Sequence, residues 1–333
     1  MTSSTEPRIS AVVPTYNDAG RLADALEAIT SQTLAPVEIV VADDGSDDGT
    51  EELVRELASR ADRTVPLRYV RLSSRSGVVA ARNEAIRVAT GEWIACCDSD
   101  DIWAPTKLER QVEFIRAWQG SQRIALLGTY GYNVNDAKRI IAQVAMGPTS
   151  EEDFTSLRER GEVMFVIHSS ALYRRSDCLA LGGYSTEYGP ADDYDFFCRM
   201  ADRGVVLNLP EPLVYYRKRA GSVQLARFWD QRQGVWRLAE NQRRRARGEA
   251  PLGDEEFTRQ LASGPAMQRL ERRVRVWGMY YYRRGATDMV NGHRLRGGAE
   301  LALALLLDPR RLIAGVRNAT RHRLSAGART DGG

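Results

Sequence analysis

The sequence lacks an apolar segment that could cross a membrane. The longest apolar run near its C-terminal end, residues 301–307, is far shorter than the roughly 20 residues of a spanning helix. Residues 1–8 are polar and contain no apolar core of a secretory signal. We therefore expect a cytoplasmic protein, whose contact with a membrane would be peripheral, at the inner face.

Cysteine and lysine are scarce. The four cysteines form no C-x-x-C pair, and only three of the 47 basic residues are lysines. The cysteine pattern disfavours a zinc or redox site and is typical of buried, reduced thiols. With 8% aromatic and 27% charged residues, the composition excludes a disordered or low-complexity chain.

Two glycine-rich phosphate-binding motifs are absent as well. The first predicted strand is followed by Thr-Tyr-Asn-Asp-Ala-Gly at 15–20, which does not match the G-x-G-x-x-G of a dinucleotide-binding site. The G-x-x-x-x-G-K-[ST] of a P-loop does not occur either. If the protein binds phosphates, we expect a metal ion and arginines to hold them.

Charge is distributed unevenly along the sequence. Residues 1–210 carry 32 acidic and 22 basic residues, whereas residues 211–333 carry 12 acidic and 25 basic ones. A basic C-terminal third suits an anionic partner such as the phosphates of a lipid carrier, an anionic membrane surface or nucleic acid. The alternative is a solvated helical surface in a sequence that favours arginine.

The first half of the sequence alternates short apolar runs with helical periodicity. Apolar runs at 9–14, 37–42, 67–72 and 93–97 each precede apolar residues at helical spacing. Strands that are apolar throughout are buried on both faces, as in a parallel sheet between two layers of helices. The pattern predicts an α/β fold with a Rossmann-like, doubly wound and mostly parallel sheet.

The second half has a different pattern. It predicts strands at 124–132, 140–146 and 163–174, a helix at 194–203, and two edge strands at 205–209 and 213–217. From about residue 228 the signals are helical and rich in arginine. We therefore predict an α/β domain over residues 1–222 and an Arg-rich helical C-terminal region over residues 223–333.

Acidic residues follow the fourth predicted strand. Asp98-Ser99-Asp100-Asp101 places three carboxylates within four residues, and these would repel one another unless a cation neutralised them. In an open parallel sheet, ligands bind at the carboxyl ends of the strands, and a hard divalent ion can bridge carboxylates to substrate phosphates. The pattern favours a divalent metal site, with a solvated acidic turn as the alternative.

Five motifs give the sequence a resemblance to a known family. They are VVPTYN at 12–17, ADDGSDDGT at 42–50, G-x-x-x-A-R-N-E-A at 77–85, DSDDIWAP at 98–105, and L-G-G-Y at 181–184 followed by DDYDFFCR at 192–199. In this order and spacing they resemble family 2 glycosyltransferases of the GT-A fold, over about residues 8–222. The resemblance implies an enzyme that moves a sugar from a nucleoside-diphosphate sugar, with UDP-sugars expected, to an acceptor hydroxyl.

The resemblance also implies a donor site at the ends of the first, second and fourth strands. The positions that match the family's donor-binding residues are Pro14, Tyr16, Asp43, Asp44, Gly77, Arg82 and Asp98. Asp44 is expected to accept a hydrogen bond from the base. Arg82 is expected to lie near the base or the diphosphate, with an exposed helix arginine as the alternative. Asp98 and Asp100 are expected to hold Mn²⁺ or Mg²⁺, which would offset charge on the leaving diphosphate.

The family's catalytic base comes from an acidic pair that opens a helix. Here the pair is Asp192-Asp193, and its first position is more often Glu in the family. The resemblance assigns Asp193 as the base of an inverting transfer, and the positive end of the helix is expected to keep it ionised. Asp192 would either contact a substrate or cap the helix.

Three further residues, Trp103, His168 and Arg219, are candidates for contact with a substrate or the metal. Trp103 would stack on a sugar or pack beneath the metal loop. His168 would meet the acceptor or the metal, or it would be a hydrogen-bonded structural histidine. Arg219 stands where the family usually has His, and a guanidinium there would suit the diphosphate.

The acceptor and two rival functions stay open at this point. The acceptor hydroxyl could belong to an anionic or lipid-linked molecule, and no nucleic acid partner is expected. The Q-x-x-R-W segment of processive relatives does not occur, so a single sugar addition is expected. The rivals are a non-catalytic nucleotide-sugar-binding protein and a sugar-1-phosphate nucleotidyltransferase, which would need a basic loop that residues 15–20 do not provide.

Overall fold

The computed structural model describes residues 6–60, 64–219 and 223–309. Contacts divide the chain into two compact units. Of the described residues, the first unit contains those up to Arg217 together with Trp229–Leu252, and the second contains those of Lys218–Phe228 and those from Gly253 onward. The domain boundary predicted at residue 222 lies outside the described residues and stays a prediction.

The first unit begins with four parallel strands separated by helices. The strands are β1 (Ile9–Thr15), β2 (Glu38–Asp43), β3 (Leu67–Arg71) and β4 (Trp93–Cys96), and the helices between them are α1 (Ala19–Thr30), α2 (Thr50–Ser59) and α3 (Val78–Val88). β1 pairs in parallel with β2 and β4, and β2 pairs in parallel with β3. The predicted α/β fold is confirmed.

Five more strands and four helices complete the sheet and its layers. The strands are β5 (Ile102–Trp103), β6 (Ile124–Val134), β7 (Ile140–Val144), β8 (Leu172–Arg174) and β9 (Val205–Arg217), and the helices are α4 (Lys107–Ala117), α5 (Glu151–Glu159), α6 (Arg175–Ala180) and α7 (Asp192–Met200). The order across the sheet is β3-β2-β1-β4-β8-β6-β9-β5, with β7 beside β6. β8 is antiparallel to β4 and β6, whereas β6 and β9 are parallel.

Two strand predictions for the second half are wrong. Only the end of the predicted strand 163–174, Leu172–Arg174, pairs as a strand, because His168–Ser170 forms a 3-10 helix whose serine hydroxyls bond to neighbouring groups. The two predicted edge strands are one strand, β9, and it lies between β6 and β5. Prolines at 210 and 212 interrupt the apolar pattern of β9, and the β6–β9 pairing accommodates them by a shift in register.

The sheet separates two apolar cores. Because side chains alternate along a strand, Val12 lies in one core and Val13 in the other, and both are fully buried. Ile86 of α3 contributes to the first core, and Leu22 of α1 contributes to the second. Helices thus cover both faces of the sheet, and polar side chains are left at the carboxyl ends of β1, β2 and β4.

Helices make up the described part of the C-terminal region, as predicted. α9 (Phe228–Ala246) belongs to the first unit from Trp229 onward. The second unit contains α8 (Val223–Ala226), α10 (Asp254–Ser263), α11 (Ala266–Val290) and α12 (Arg294–Leu307). Among the helices of the described residues, none combines the length and the hydropathy that crossing a membrane requires.

Candidate active site

The carboxyl end of β2 carries a buried aspartate, Asp43, that is fully engaged by the protein. One of its oxygens accepts hydrogen bonds from the Ser46 amide (2.9 Å) and hydroxyl (2.5 Å). The other accepts from the Tyr69 hydroxyl (2.6 Å) and from Arg71 (3.0 Å). Four contacts fill the acceptor positions of a carboxylate. Asp43 therefore fixes the loop after β2, and its contact with a donor stays a prediction.

Asp44 holds the loop that leads into α3. Its two oxygens accept the backbone N–H groups of Ser76 (2.6 Å) and Gly77 (2.8 Å), and its side chain is buried. Gly77 has a φ of +91°, which glycine adopts without the strain that a side chain would bring. Since each oxygen of Asp44 retains a lone pair, this carboxylate can still accept a hydrogen bond from a base.

Pro14 and Tyr16 lie at the carboxyl end of β1, next to the end of β2. Pro14 pairs with Ala42 across the two strands, and Tyr16 exposes 37% of its surface. The Arg75 guanidinium lies over the Tyr16 ring, 4.2 Å from its centroid. Arg75 was not predicted as a site residue, because an arginine in a loop two residues before Gly77 gives no sign of which ring it contacts.

Asp98 follows β4 and belongs to a buried ionic cluster. Its Oδ1 lies 3.1 Å from His168 Nδ1 and 3.7 Å from Arg82 Nη2, and its amide donates to Ser169 Oγ (3.0 Å). Burial opposes ionisation, but the charges of His168 and Arg82 outweigh it and hold the pKa of Asp98 well below its usual range. Asp98 is therefore ionised at neutral pH, and its side chain stays 30% exposed.

His168 is a hydrogen-bonded structural histidine, which was one of the two interpretations given for it. It is buried, its Nε2 lies 3.2 Å from the Tyr184 hydroxyl, and its ring stacks on Phe197. Burial and the charge of Arg82 disfavour the protonated ring, but the pair with Asp98 outweighs both and raises the pKa of His168 to about 10. A charged His168 thus helps to fix Asp98, and its contact with an acceptor or a metal stays a prediction.

A buried carboxylate and a buried arginine organise the loop after β4. Asp101 accepts hydrogen bonds from Ser169 Oγ and from the Arg217 amide (2.9 Å). The Arg217 side chain donates to the Asp100 carbonyl oxygen (2.9 Å) and pairs with Asp24 (3.0 Å). Asp101 was predicted only as one of the three carboxylates of the acidic run after β4, and Arg217 was not predicted as a site residue. The only signal for Arg217 is its position at the end of an apolar run.

The two predicted metal ligands have suitable chemistry but need further ligands. Within the described ranges, no group of three or more His, Cys, Asp or Glu side chains could hold a metal ion. Asp98 and Asp100 offer carboxylate oxygens, which Mg²⁺ and Mn²⁺ prefer. Because Mg²⁺ is commonly bound by one or two carboxylates together with substrate phosphates, the pair fits a divalent ion that binds along with a diphosphate.

Arg82, on α3, joins the loop after β4 to the first turn of α7. It is buried, and its Nη1 lies 2.5 Å from Asp192 Oδ2 while its Nη2 faces Asp98. Its guanidinium also lies over the Tyr184 ring at 4.5 Å. Asp192 pairs with Arg82 and Ala191 occupies the N-cap position, so the capping alternative for Asp192 is wrong. Contact of Arg82 with a base or diphosphate stays a prediction.

Asp193 is the second residue of α7, and its Oδ1 accepts a hydrogen bond from the Tyr194 amide (2.8 Å). Burial and then the charge of Asp192 raise the pKa of Asp193 to about 7, although His168 and Arg82 oppose the rise. Burial and the charge of Asp192 act against the expectation that the helix end keeps Asp193 ionised, because a carboxyl with a pKa of about 7 is only partly ionised at neutral pH. A carboxyl with this pKa can exchange a proton near pH 7.

A buried network beneath the loop after β4 includes Trp103. Its Nε1 donates to the Ser169 carbonyl oxygen (2.6 Å), and Lys107 Nζ lies 3.9 Å from the ring centroid. Lys107 donates to Gln111 (2.9 Å), which donates to the Ser170 carbonyl oxygen (2.9 Å). Burial lowers the pKa of Lys107 to about 7. Trp103 therefore packs beneath the loop after β4, which was one of the two interpretations given for it. Its stacking on a sugar stays a prediction.

Two other expectations concern Arg219 and the four cysteines. Arg219 lies two residues after β9, at the start of the second unit, and its contact with a diphosphate stays a prediction. The four cysteines are free thiols, and all of them are buried. This burial agrees with the expectation from their spacing.

Sequence comparison matches one family model to slightly more than half of the chain. The model described as Glycosyl transferase family 2 matches residues 10–182. An uncharacterized glycosyltransferase of Nostoc sp. is 30% identical over 215 residues, which are 63% of this chain and 64% of that protein. The chain therefore matches less than two thirds of that relative's length. An uncharacterized glycosyltransferase of Haemophilus influenzae is 30% identical over 221 residues, 65% of this chain and 78% of that protein.

A third relative has a more specific name. It is the UDP-Glc:alpha-D-GlcNAc-diphosphoundecaprenol beta-1,3-glucosyltransferase WfgD of Escherichia coli. It is 34% identical over 107 residues, which are 32% of this chain and 40% of WfgD. Because the match covers a third of the chain, it supports the family and leaves the substrates of this protein open.

Two solved structures share the fold. S. aureus TarS 1-349 in complex with UDP-GlcNAc matches with a TM-score of 0.53 and 16% identity, over 92% of each chain. The mannosyltransferase PcManGT of Pyrobaculum calidifontis, in complex with GDP-Man and Mn2+, matches with a TM-score of 0.52 and 21% identity. That match covers 93% of this chain and 83% of PcManGT. These similarities confirm the GT-A architecture.

Proposed function

Because the chain belongs to glycosyl transferase family 2, we propose that it moves one sugar from a nucleoside-diphosphate sugar to an acceptor hydroxyl, with inversion and with the help of a divalent metal. One observation carries the proposal. Asp98 is held ionised after β4, whereas Asp193, at the start of α7, has a pKa near 7. Binding a cation and accepting a proton need two carboxyls that differ in this way.

The donor would bind at the carboxyl ends of β1, β2 and β4. Tyr16 offers a partly exposed ring to a base, and Asp44 can accept a hydrogen bond from a base N–H. TarS and PcManGT, which share the fold, are seen with UDP-GlcNAc and with GDP-Man. These complexes support a nucleoside-diphosphate sugar as the donor, and we propose UDP as its nucleotide.

Asp98 and Asp100 would hold Mn²⁺ or Mg²⁺ together with the diphosphate. When bound, the ion offsets negative charge on the leaving diphosphate. The protein's part is to keep Asp98 ionised through His168 and Arg82, and to hold the Asp100 backbone through Arg217. The Mn2+ in the PcManGT complex supports metal dependence.

Asp193 would act as the general base. Its ionised carboxylate takes the proton of the acceptor hydroxyl while the acceptor oxygen bonds to the anomeric carbon of the sugar. The bond from that carbon to the diphosphate breaks, and the diphosphate leaves with the electron pair. Attack opposite to the leaving group inverts the anomeric configuration. Asp192 contributes by raising the pKa of Asp193, which makes the carboxylate a stronger base.

The acceptor would be an anionic or lipid-linked molecule. Residues 211–333 carry 25 basic and 12 acidic residues, which favours a negatively charged partner. WfgD, a partial relative, is named for an acceptor linked to diphosphoundecaprenol. Transfer would then take place in the cytoplasm, at or near the inner face of the membrane. The family match favours this function over the nucleotidyltransferase and binding-protein alternatives.

A thermal-shift screen of nucleoside diphosphates and their sugars, with and without Mn²⁺, tests the donor site. A ligand that binds only the folded protein raises its Tm by mass action, so UDP and a UDP-sugar should raise it, and more so with Mn²⁺. Asp98→Asn is expected to weaken the Mn²⁺-dependent binding at least about tenfold. Glu56→Gln removes an exposed carboxylate of α2 and should behave as the unaltered protein does.

Three outcomes would contradict the proposal. If no nucleoside diphosphate raises the Tm, the donor class is wrong. If a chelator leaves donor binding and turnover unchanged, the reaction does not depend on a metal. If NMR of the product of an active donor and acceptor pair shows retention of the anomeric configuration, Asp193 is not the base of a single displacement.

A further inference from the structure

One face of α12 is apolar and open to solvent along the length of the helix. Its two end residues, Leu295 and Leu306, are 93% and 82% exposed. The members of this face follow the spacing i, i+3, i+4, i+7, i+8 and i+11, which places them on one side of a helix. They are all exposed and all apolar: Leu295, Gly298, Ala299, Ala302, Leu303 and Leu306.

The opposite face of α12 packs against α11 and fixes the orientation of the helix. Gly297 is buried there, and a Cβ atom at this position would lie only 2.7 Å from the Met289 amide nitrogen of α11. An ion pair between Arg284 of α11 and Glu300 of α12 (2.8 Å) joins the same two helices. Because these contacts hold the far side of α12, the exposed leucines Leu295, Leu303 and Leu306 cannot turn inward against α11.

Positive charge borders the apolar face, and the same unit exposes aromatic rings. At 100° per residue, Arg294 and Arg296 border it on either side near the start of α12. Residues 266–307, which form α11, α12 and the turn between them, contain eight arginines and three acidic residues. Trp277 and Tyr282 of α11 are 40% and 43% exposed. Leucines bordered by arginines, in a unit that also exposes aromatic rings, are typical of helices that lie in a membrane interface.

Charge discriminates between the partners that could cover this face. A second copy of the chain would bring the same excess of arginines against it. Residues 310–333, which lie outside the described part, contain six arginines and one aspartate, so this segment would also be repelled. An anionic lipid surface has the opposite charge and supplies the apolar environment that the leucines lack.

We propose that α12 binds the surface of an anionic membrane, with its exposed leucines in the interface and the neighbouring arginines at the lipid phosphates. This contact requires neither a donor nor an acceptor, so its test does not depend on the proposed transfer reaction. A single helix of 14 residues buries little apolar area, and its charges are screened by salt. Binding is therefore expected to be reversible and weaker at high salt.

Co-sedimentation of the 333-residue chain with lipid vesicles tests the proposal. We expect binding to vesicles of phosphatidylcholine with phosphatidylglycerol, and little binding to phosphatidylcholine alone. The double variant Leu295→Gln/Leu306→Gln should lower the partition coefficient at least about tenfold. Its Tm should be unchanged because both side chains are exposed. Leu179→Gln, which alters an exposed leucine of α6 in the first unit, is the matched control and should bind normally.

Any one of four other outcomes would overturn the proposal. Absence of binding to the anionic vesicles would exclude the membrane contact. Equal binding of the double variant and the unaltered protein would assign the contact to another surface. If the protein without lipid forms a dimer that the double variant loses, the face is an interface between copies. If the double variant has a lower Tm, another part of the chain covers the leucines.

Discussion

Asp98 and Asp193 are the same residue type in two regions that Arg82 connects, yet their pKa values shift in opposite directions. Asp98, after β4, faces His168 and Arg82, and its pKa lies well below its usual range. Asp193, in the first turn of α7, is next to Asp192, and its pKa rises to about 7. Burial disfavours ionisation of both carboxyls. At Asp98 the charges of His168 and Arg82 outweigh burial, whereas at Asp193 the charge of Asp192 adds to it.

The difference teaches how one site can use two carboxyls for two tasks. A carboxyl that stays ionised suits a cation and a diphosphate, whereas one that exchanges a proton near pH 7 suits acid–base catalysis. Arg82 supports the first task directly, since its charge favours the ionised form of Asp98. It also fixes Asp192, whose charge raises the pKa of Asp193. Since Arg82 and His168 act on both carboxyls, changes that leave these two charges in place should have separable effects.

The largest effect is expected for Asp193→Asn. The amide has nearly the shape of the carboxylate but cannot take the acceptor's proton, so the transfer rate should fall by about 10²–10⁴. Donor affinity, measured by thermal shift with Mn²⁺, should be nearly unchanged because Asp98 is intact. Glu187→Gln, which removes an exposed carboxylate shortly before α7, should leave transfer unchanged. Near-normal turnover of Asp193→Asn would mean that another group is the base.

A smaller effect, confined to the Asp98 region, is expected for Tyr184→Phe. The Tyr184 hydroxyl lies 3.2 Å from His168 Nε2, and its loss would leave a buried N–H without this partner, at a cost of about 1–3 kcal/mol in stability. We expect a lower Tm and severalfold weaker metal-dependent donor binding. The pH dependence of transfer should not change, because Asp193 keeps its surroundings.

Tyr173→Phe is the matched control for that change. The Tyr173 hydroxyl belongs to the same buried network, 3.3 Å from the hydroxyl of Tyr184 and 3.3 Å from Cys96 Sγ. It has no hydrogen bond to His168 among those that the structure describes, so donor binding should be retained. Equal losses in both variants, or a shifted pH midpoint in Tyr184→Phe, would show that the two regions are not separable.

The fold of the first half could be predicted because its strands are buried on both faces and are apolar throughout. Each of β1 to β4 lies within a residue of its predicted position. The same rule failed for residues 163–174, where Met164 and Val166 are buried in a segment that belongs to no strand. Burial makes a sequence apolar whatever its backbone conformation, and only tertiary contacts decide between a strand and a buried loop.

The positions of the site residues could be predicted from motifs, but their ionisation could not. Asp98 and Asp193 were identified from the resemblance. The pKa of Asp193 depends on burial and on Asp192, whose partner Arg82 is 110 residues away along the chain. Arg217 escaped prediction for the same reason, since it bonds to the Asp100 carbonyl oxygen and to Asp24 only once β9 is in place. Partners so far apart leave no local pattern.

The pH dependence of kcat/KM for transfer tests the division between Asp98 and Asp193 most directly. Protonated Asp193 cannot accept a proton, so activity should be present above its pKa and lost as the pH falls through that value. We predict a limb in which the rate falls about tenfold per pH unit below a midpoint near 7. A midpoint near pH 4, about the ordinary pKa of an aspartate, would contradict the raised pKa of Asp193 and with it the division between the two carboxyls.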